Sequence, residues 1–506
     1  MGFGIRSNRQ FSSWRQPWLR QPSLYINLAV LGALVGVALT LVTCGTTSYM
    51  GQVNSGMATV NVSISDPPSC LPPAGNFKSV FITIRSVQAH TSATANDNSS
   101  GWVELVPELN TQPVQVDLLN LPASGACLLK QLGSNTSLAA GDYQQIRLLL
   151  VGDKPGSGAM PATNACAALG QVFNCVVTGN NSTSELLLSS EANTGLKIPP
   201  GQVVGGPIHV GDGQTVDINV DFNACASIIE EGNGAFRLKP TLTAGVVSTN
   251  TTGIKGQVVD SVTSQPIAGA TVALENQDMT GTDRIFMEAV TDSGGRFSFC
   301  PLPMGAVFDV VVDAVSGTGT AYNATAVVNV PGGSDVGTLP LVAETGATNG
   351  PGTIQGIVTA LNGAVGANID VTTSAMQTVS LSGGGTRPIT IPLLMGSTSN
   401  IAVESATPCP APGSPMGAFC AQYTLVVPAS NPDVGSFSAG KITFTPPASG
   451  DVLYTVEADA TKPISGGATI CSPSSLTTKL DTNGMPLKVT AGATTIAKEA
   501  DFAGCS

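Results

Sequence analysis

The sequence predicts an all-β chain, several antiparallel β-sandwiches in tandem behind an N-terminal signal or anchor helix. Apolar and polar residues alternate with a period of two along most of its length, and helical periodicity is almost absent after residue 43. Gly and Pro number 58 and 34 of 506 residues, enough to place a turn between many short elements. At roughly 150 residues per domain, that length makes about three domains.

Residues 1–43 hold Arg6, Arg9, Arg15 and Arg20, no acidic residue, and an apolar run from Leu28 to Val42. This is the charged n-region and apolar h-region of an export signal. The run is shorter than the ~20 residues that span a bilayer. Reading back to Leu24 brings it to the length of an uncleaved anchor. Leu41-Val42-Thr43-Cys44 resembles the bacterial lipobox, with Thr43 where Gly or Ala is usual, and makes Cys44 the candidate for acylation. Residues 44–56 then form a tether. Whether as lipoprotein or signal anchor, the rest of the chain is expected outside the cytoplasm, held to the membrane of the cell envelope.

The charge balance excludes other partners. Lys+Arg total 21 against 33 Asp+Glu, a net charge of -12, which falls to -16 once the four N-terminal arginines are removed. No nucleic-acid partner is expected of such a surface. Only His90 and His209 occur, which removes most histidine-based catalysis and zinc chemistry. No cofactor and no metal are expected.

Eleven cysteines suit an oxidising compartment, and no C-x-x-C suggests zinc or thioredoxin-like redox work. With Cys44 set aside, neighbours pair most simply: Cys166 with Cys175, Cys409 with Cys420, and Cys471 with Cys505. Each such loop contributes about 2 to 3 kcal/mol. The pairing of Cys70, Cys127, Cys225 and Cys300 cannot be read from spacing.

Alternation places strands at Val60–Ile64, Val114–Leu118, Ile146–Leu150, Val216–Phe222, Phe308–Val312 and Val452–Val456. Each is expected to have one face in a core and one in water. Ala224 to Glu231, closed by Gly232-Asn233-Gly234, is the one modest helix candidate. Small polar stretches at Val246–Thr252 and Glu344–Gly352 suit linkers and give domains at 57–248, 253–343 and 353–506. The two later starts repeat: Ile254-Lys255-Gly256-Gln257-Val258 then Gly269-Ala270-Thr271-Val272, and Ile354-Gln355-Gly356-Ile357-Val358 then Gly366-Ala367-Asn368-Ile369.

Several longer stretches carry a family resemblance. Ser65-Asp66-Pro67-Pro68, VFITIRSVQAH (80–90), GWVEL (101–105), VDLLNL (116–121), AGDYQQIRLLL (140–150), LKIP (196–199) and DFNACASIIEEGNGAFRLKPTL (221–242) resemble the bacterial family called domain of unknown function 4382. That resemblance implies an exported or lipid-anchored β domain with no assigned activity. GIKGQVVD (253–260), QPIAGATVAL (265–274), TDSGGRFSF (291–299) and Leu302-Pro303-Met304-Gly305 resemble the carboxypeptidase regulatory-like domain, a small sandwich grouped with carbohydrate-binding-like folds. It implies an accessory module without catalytic residues. The third domain has no assignment beyond its Gly-Val start.

Candidate chemistries are few. Asp292-Ser293-Gly294 matches an aspartic-protease motif, but no second copy exists and its setting reads as a hairpin turn. Gly435 to Lys441 has phosphate-loop spacing, yet Ile442 replaces the magnesium-binding hydroxyl and a strand follows. Asp217 and Asp221, with Asn219 between and Asp66 or Asp142 near, are weak calcium candidates. A solvated strand face is the preferred reading, since residues two apart line a face rather than surround a point. Trp102, Tyr143 and Tyr322 are candidate sugar-stacking platforms, with core anchoring preferred. The function expected is a non-catalytic binding or structural role in the envelope, with polysaccharide as ligand by fold analogy. The alternatives are a component of extracellular polymer degradation and an adhesin that binds another surface protein.

Overall fold

The computed structural model describes residues 56–502, except 67–76, 97, 125–126, 153–158, 189–194, 199–202, 204–205, 225–226, 232–233, 240, 248–252, 303–304, 345–349, 361–368, 404–418, 446 and 465–466. The export segment, Cys44, Cys70, Cys225, Cys409, Cys505 and the Cys471 side chain lie outside the described residues. What is described is all-β and multidomain: strands in several sheets, with three short 3-10 turns.

The buried apolar residues form three large clusters, one for each run of strands. The first module runs from strand Met57–Ser65 to strand Leu242–Val246, the second from Ile254–Asp260 to Asp335–Leu341, and the third from Gly352–Ala360 to Ala500–Phe502. Each opens in the same way, because the first strand of each module lies between one antiparallel and one parallel neighbour. Met57–Ser65 pairs antiparallel with Cys127–Ala139 and parallel with Thr215–Phe222. Ile254–Asp260 does so with Arg296–Phe299 and Asp335–Leu341. Gly352–Ala360 does so with Phe419–Val427 and with Thr494–Ile496 and Ala500–Phe502. The repeated glycines acquire a reason here. Gly256 faces Phe297 and Gly356 faces Tyr423 across their antiparallel pairs, and in both cases a Cβ on the glycine would overlap the ring. An aromatic side chain folded over a strand glycine fills the space that the missing side chain leaves.

The modules are fastened to one another. Cys127 of the first is disulfide-bonded to Cys300 of the second, across 173 residues of sequence. Arg237 of the first donates from Nη1 to Asp370 Oδ2 of the third at 2.8 Å, pairs through Nη2 with Asp370 Oδ1, and donates from Nε to Glu231 at 2.8 Å. Arg284 of the second reaches Glu457 of the third, with Nη2 to Oε2 at 3.0 Å. Asp433–Ser438 of the third module lies parallel on Thr325–Pro331 of the second and, with Lys441–Thr445, brings that sheet to six strands. Cys166 and Cys175 are bonded within the first module, and Cys420 is also disulfide-bonded.

Two expectations are corrected. Ile228–Glu230 is a strand, paired with Phe236–Leu238, where a helix was expected. Ile228 and Ile229 are both buried, one on each face, and β-branched residues covered on both faces favour a strand. The second correction concerns the faces expected to be wet. Asn219 and Asp221 are buried, as are Asp309, Asp313, Glu457, Gln145 and Arg147. Asp217, Asn219 and Asp221 form a polar ladder with the parallel first strand. Asn61 Nδ2 donates to Asp217 at 2.7 Å, Ser63 Oγ to Asn219 at 2.8 Å, and Ser65 Oγ to Asp221 at 2.6 Å. Asp309 and Glu457 are covered by a neighbouring module, as their ion pairs show, whereas Gln145 and Arg147 are covered within the first module, by Ser92 and by Gln88 and Trp102.

Candidate binding cleft

A cleft of about 570 Å³ lies over the sheet formed by Ile254–Asp260, Arg296–Phe299 and Asp335–Leu341, with Leu128 of the first module on its wall. Strand register sets its floor. Lys255 stands opposite Ser298 on one side and Asp335 on the other, and Gln257 stands opposite Arg296 and Thr338. Alternation therefore puts six polar side chains on one face, while Ile254, Val258, Phe299, Val336 and Leu339 point into the core. Leu128 is held there by its neighbour Cys127, through the bond to Cys300.

The lining groups are engaged in an ion pair and in hydrogen bonds. Lys255 Nζ and Asp335 form an exposed ion pair at 3.5 Å. Gln257 Nε2 donates to Gly294 O at 2.8 Å, and Asp292 Oδ1 accepts the amides of Gly294 and Arg296, each at 2.8 Å. Asp292-Ser293-Gly294 is thus a turn, with Gly295 at φ 71°, and its carboxylate is occupied by backbone. Phe297 lines the cleft but is itself buried. No histidine or cysteine is among the lining residues.

Other residues singled out in the sequence are scattered. His90 is buried, with Nδ1 accepting from the Ser92 amide at 2.8 Å and Nε2 3.0 Å from Ser100 O. Trp102 packs edge-on to His90 under the guanidinium of Arg147, 4.1 Å from its ring centroid. That cation–π contact covers one of its faces. Tyr143 and Tyr322 are buried, their hydroxyls donating to Ala139 O at 3.0 Å and Asp260 Oδ2 at 3.1 Å. His209 Nδ1 lies 2.7 Å from Asp142, both exposed. Gly435 to Lys441 belongs to a hairpin that turns at Ala439 and Gly440.

Asp66 and Asp221 lie at the junction of the first and second modules, near Glu288. Burial pushes the Asp221 carboxyl up to about 7 against the hydrogen bond from Ser65. Burial likewise pushes Glu288 up to about 7 against a hydrogen bond from Asn223. Asp66 is raised well above the usual range, first by burial and then by the charge of Asp221; the nearby Ala224 amide opposes this without reaching hydrogen-bonding geometry. Among the described residues no group of three or more His, Cys, Asp or Glu side chains is arranged to hold a metal ion.

Residues 57–240 match the family model described as domain of unknown function (DUF4382), and residues 253–339 match that of the carboxypeptidase regulatory-like domain. The chain carries a DUF4382 domain followed by a carboxypeptidase regulatory-like domain. The cleft lies on the regulatory-like domain, roofed in part by Leu128 of the DUF4382 domain. No curated protein matches the chain. Among solved structures, a leucine-rich repeat protein from Bacteroides thetaiotaomicron is similar at 11% identity and a TM-score of 0.19, over 51% of this chain and 27% of that one. A streptococcal ancillary pilin is similar at 12% identity and 0.15, over 86% and 99%. A minor pilin of Streptococcus agalactiae is similar at 10% identity and 0.17, over 50% and 96%. At these scores the likeness carries no functional argument.

Spacing had not singled out the cleft residues. Lys255-x-Gln257 and Arg296-x-Ser298 each alternate with core residues, but they become one surface only when the strands pair.

Proposed function

We propose that the chain is a non-catalytic binding and structural protein, exported to the cell envelope and held there by its N-terminus. The fastening of one module to the next by a disulfide, an added strand and ion pairs carries this reading, because it suits a rigid support for a surface-exposed site. The cleft on the regulatory-like domain is the site, and a polyhydroxylated ligand such as an envelope polysaccharide is its occupant. Amide, hydroxyl and guanidinium groups fixed on paired strands offer several directed hydrogen bonds to sugar hydroxyls. The resemblance of this domain to carbohydrate-binding-like folds is an analogy at the level of fold.

The test is a screen of glycans and envelope polymers against the exported protein and its Arg296→Ala and Gln257→Ala variants. Binding by the parent that both variants weaken supports the reading. Binding that neither variant changes, or none across the screen, refutes it. For the tether, Cys44→Ala is expected to abolish lipid labelling and to leave a precursor or a released protein; unchanged processing and labelling rejects the lipid anchor. Exposed Leu480, Met485 and Ile496 on the third module favour a second reading, in which a protein partner docks there.

A further inference from the structure

The second and third modules meet over three carboxyl groups and one guanidinium. Glu275, Asp283 and Asp309 belong to adjacent strands of one sheet, and Glu275 stands directly opposite Asp309. Their exposures are 0%, 1% and 4%. Across the junction the Thr386–Ile391 strand presents Arg387 and Thr390. Arg387 Nη1 donates to Asp309, whose other oxygen accepts the Asn329 amide at 2.7 Å. Arg387 Nε lies 3.9 Å from Asp283. The Thr390 amide donates to Glu275 Oε2 at 3.3 Å, and its hydroxyl donates to the main-chain oxygen of Asp283 at 2.7 Å.

Two oxygens are left over. Glu275 Oε1 and Asp283 Oδ2 are buried without a hydrogen-bond partner. Asp283 lies close enough to Asp309 for that carboxylate to raise it further. The other charges nearby do not restore the balance. Asp278 and Glu288 add negative charge, and Arg284 is committed to Asp278 and Glu457. Fully ionised, the site holds three buried carboxylates against one guanidinium.

We propose that this junction is a pH-operated clasp, in which protonated carboxyls hold the third module against the second and their ionisation loosens the Thr386–Ile391 strand. Burial is the first cause that raises both Glu275 and Asp283. For Glu275 the next cause is the charge of Asp283; for Asp283 it is the hydrogen bond and charge of Asp309, with Arg387 opposing. The sign follows from linkage. An acid whose folded value is raised keeps its proton in the closed state and releases it on opening. The contribution of Glu275 and Asp283 is therefore fullest below about pH 4, where both are protonated in the open as in the closed state, and weakens as pH rises toward the raised values. This inference does not depend on what the cleft binds.

Hydrogen exchange of the full chain, read by mass spectrometry at about pH 5.5 and about pH 8.5 and corrected for intrinsic exchange, tests it. The population of open Thr386–Ile391 is expected to rise about tenfold or more at the higher pH, the change that one pKa unit of differential protonation produces. The central Phe77–His90 strand is expected to stay unchanged. Glu275→Gln and Asp283→Asn are each expected to flatten the response. Equal protection at both pH values in the parent overturns the proposal whether or not the variants fold. So does a response that survives in both folded variants.

Discussion

Removing the Cys127–Cys300 bridge gives the sharpest check on how the first two modules are joined. The bridge spans 173 residues, whereas Cys166–Cys175 spans 9. In the chain-entropy account a cross-link restricts the unfolded chain by an amount that grows with the logarithm of loop length. That puts the long bridge at about 5 kcal/mol and the short one at about 2.5 kcal/mol. All four cysteines are buried, so Cys→Ala at either pair deletes similar sulfur packing, and this loss cancels in the comparison. The double variant Cys127→Ala/Cys300→Ala is thus expected to lose about 2.5 kcal/mol more than Cys166→Ala/Cys175→Ala. Equilibrium unfolding in guanidinium under non-reducing conditions measures both, with m-values to show whether the unfolded state has expanded. If the long-bridge variant is no less stable than the short-bridge variant, the reasoning fails: the junction would then be held in the unfolded chain by something other than the disulfide, or the bridge would strain the native state.

Three further outcomes are expected. Arg237→Ala leaves Asp370 and Glu231 without their cation, at a cost of about 3 to 5 kcal/mol by chemical denaturation, whereas Arg237→Met with Asp370→Leu should recover most of it. Gly356→Ala forces a Cβ into the Tyr423 ring and is expected to cost roughly 1 to 3 kcal/mol, readable as a lowered Tm. At the junction of the first two modules, Asp221 and Glu288 are both raised to about 7, so their contribution to stability should fall as pH climbs from about 4 to about 7. Asp221→Asn is expected to flatten that slope in a Tm-against-pH series, and a parent Tm that rises over the same range contradicts it.

Alternation named the inward residues of several strands before any coordinates. Val60, Val62, Ile64, Val216, Ile218 and Val220 are all buried. It could not say what covers the opposite face. Asp221, Asp309 and Glu457 read as wet because a period of two reports that residues share a side, and carries no trace of a second module packed on that side. The Ile-x-Gly pattern at 254 and 354 was visible as a repeat, but its cause lay in Phe297 and Tyr423, which only strand pairing brings opposite. Near-neighbour cysteines can be paired by loop length, whereas Cys127 and Cys300 leave no local mark. The cleft was hidden for the same reason, since its residues come from three paired strands, the turn at Asp292 and the distant Cys127–Ala139 strand. The Ala224–Glu231 segment misled because its small and acidic residues suit a helix, while burial of Ile228 and Ile229 on both faces decided for a strand.

The strand that the third module lends to the second also bears on where this chain can be cut. Thr325–Pro331 has Ala326, Val328 and Val330 buried, and one of its two edges is occupied by Asp433–Ser438, which arrives from about a hundred residues downstream. A fragment ending near residue 343 would keep its own apolar core yet expose the unpaired edge at Thr325–Val328, ready to recruit any strand it meets. Such a fragment is expected to stick to copies of itself, and a recombination event that moved the regulatory-like domain alone would carry the same defect. Domain boundaries in the sequence therefore mark where the folds differ, but the smallest piece that is safe to express, or to inherit, runs through both modules.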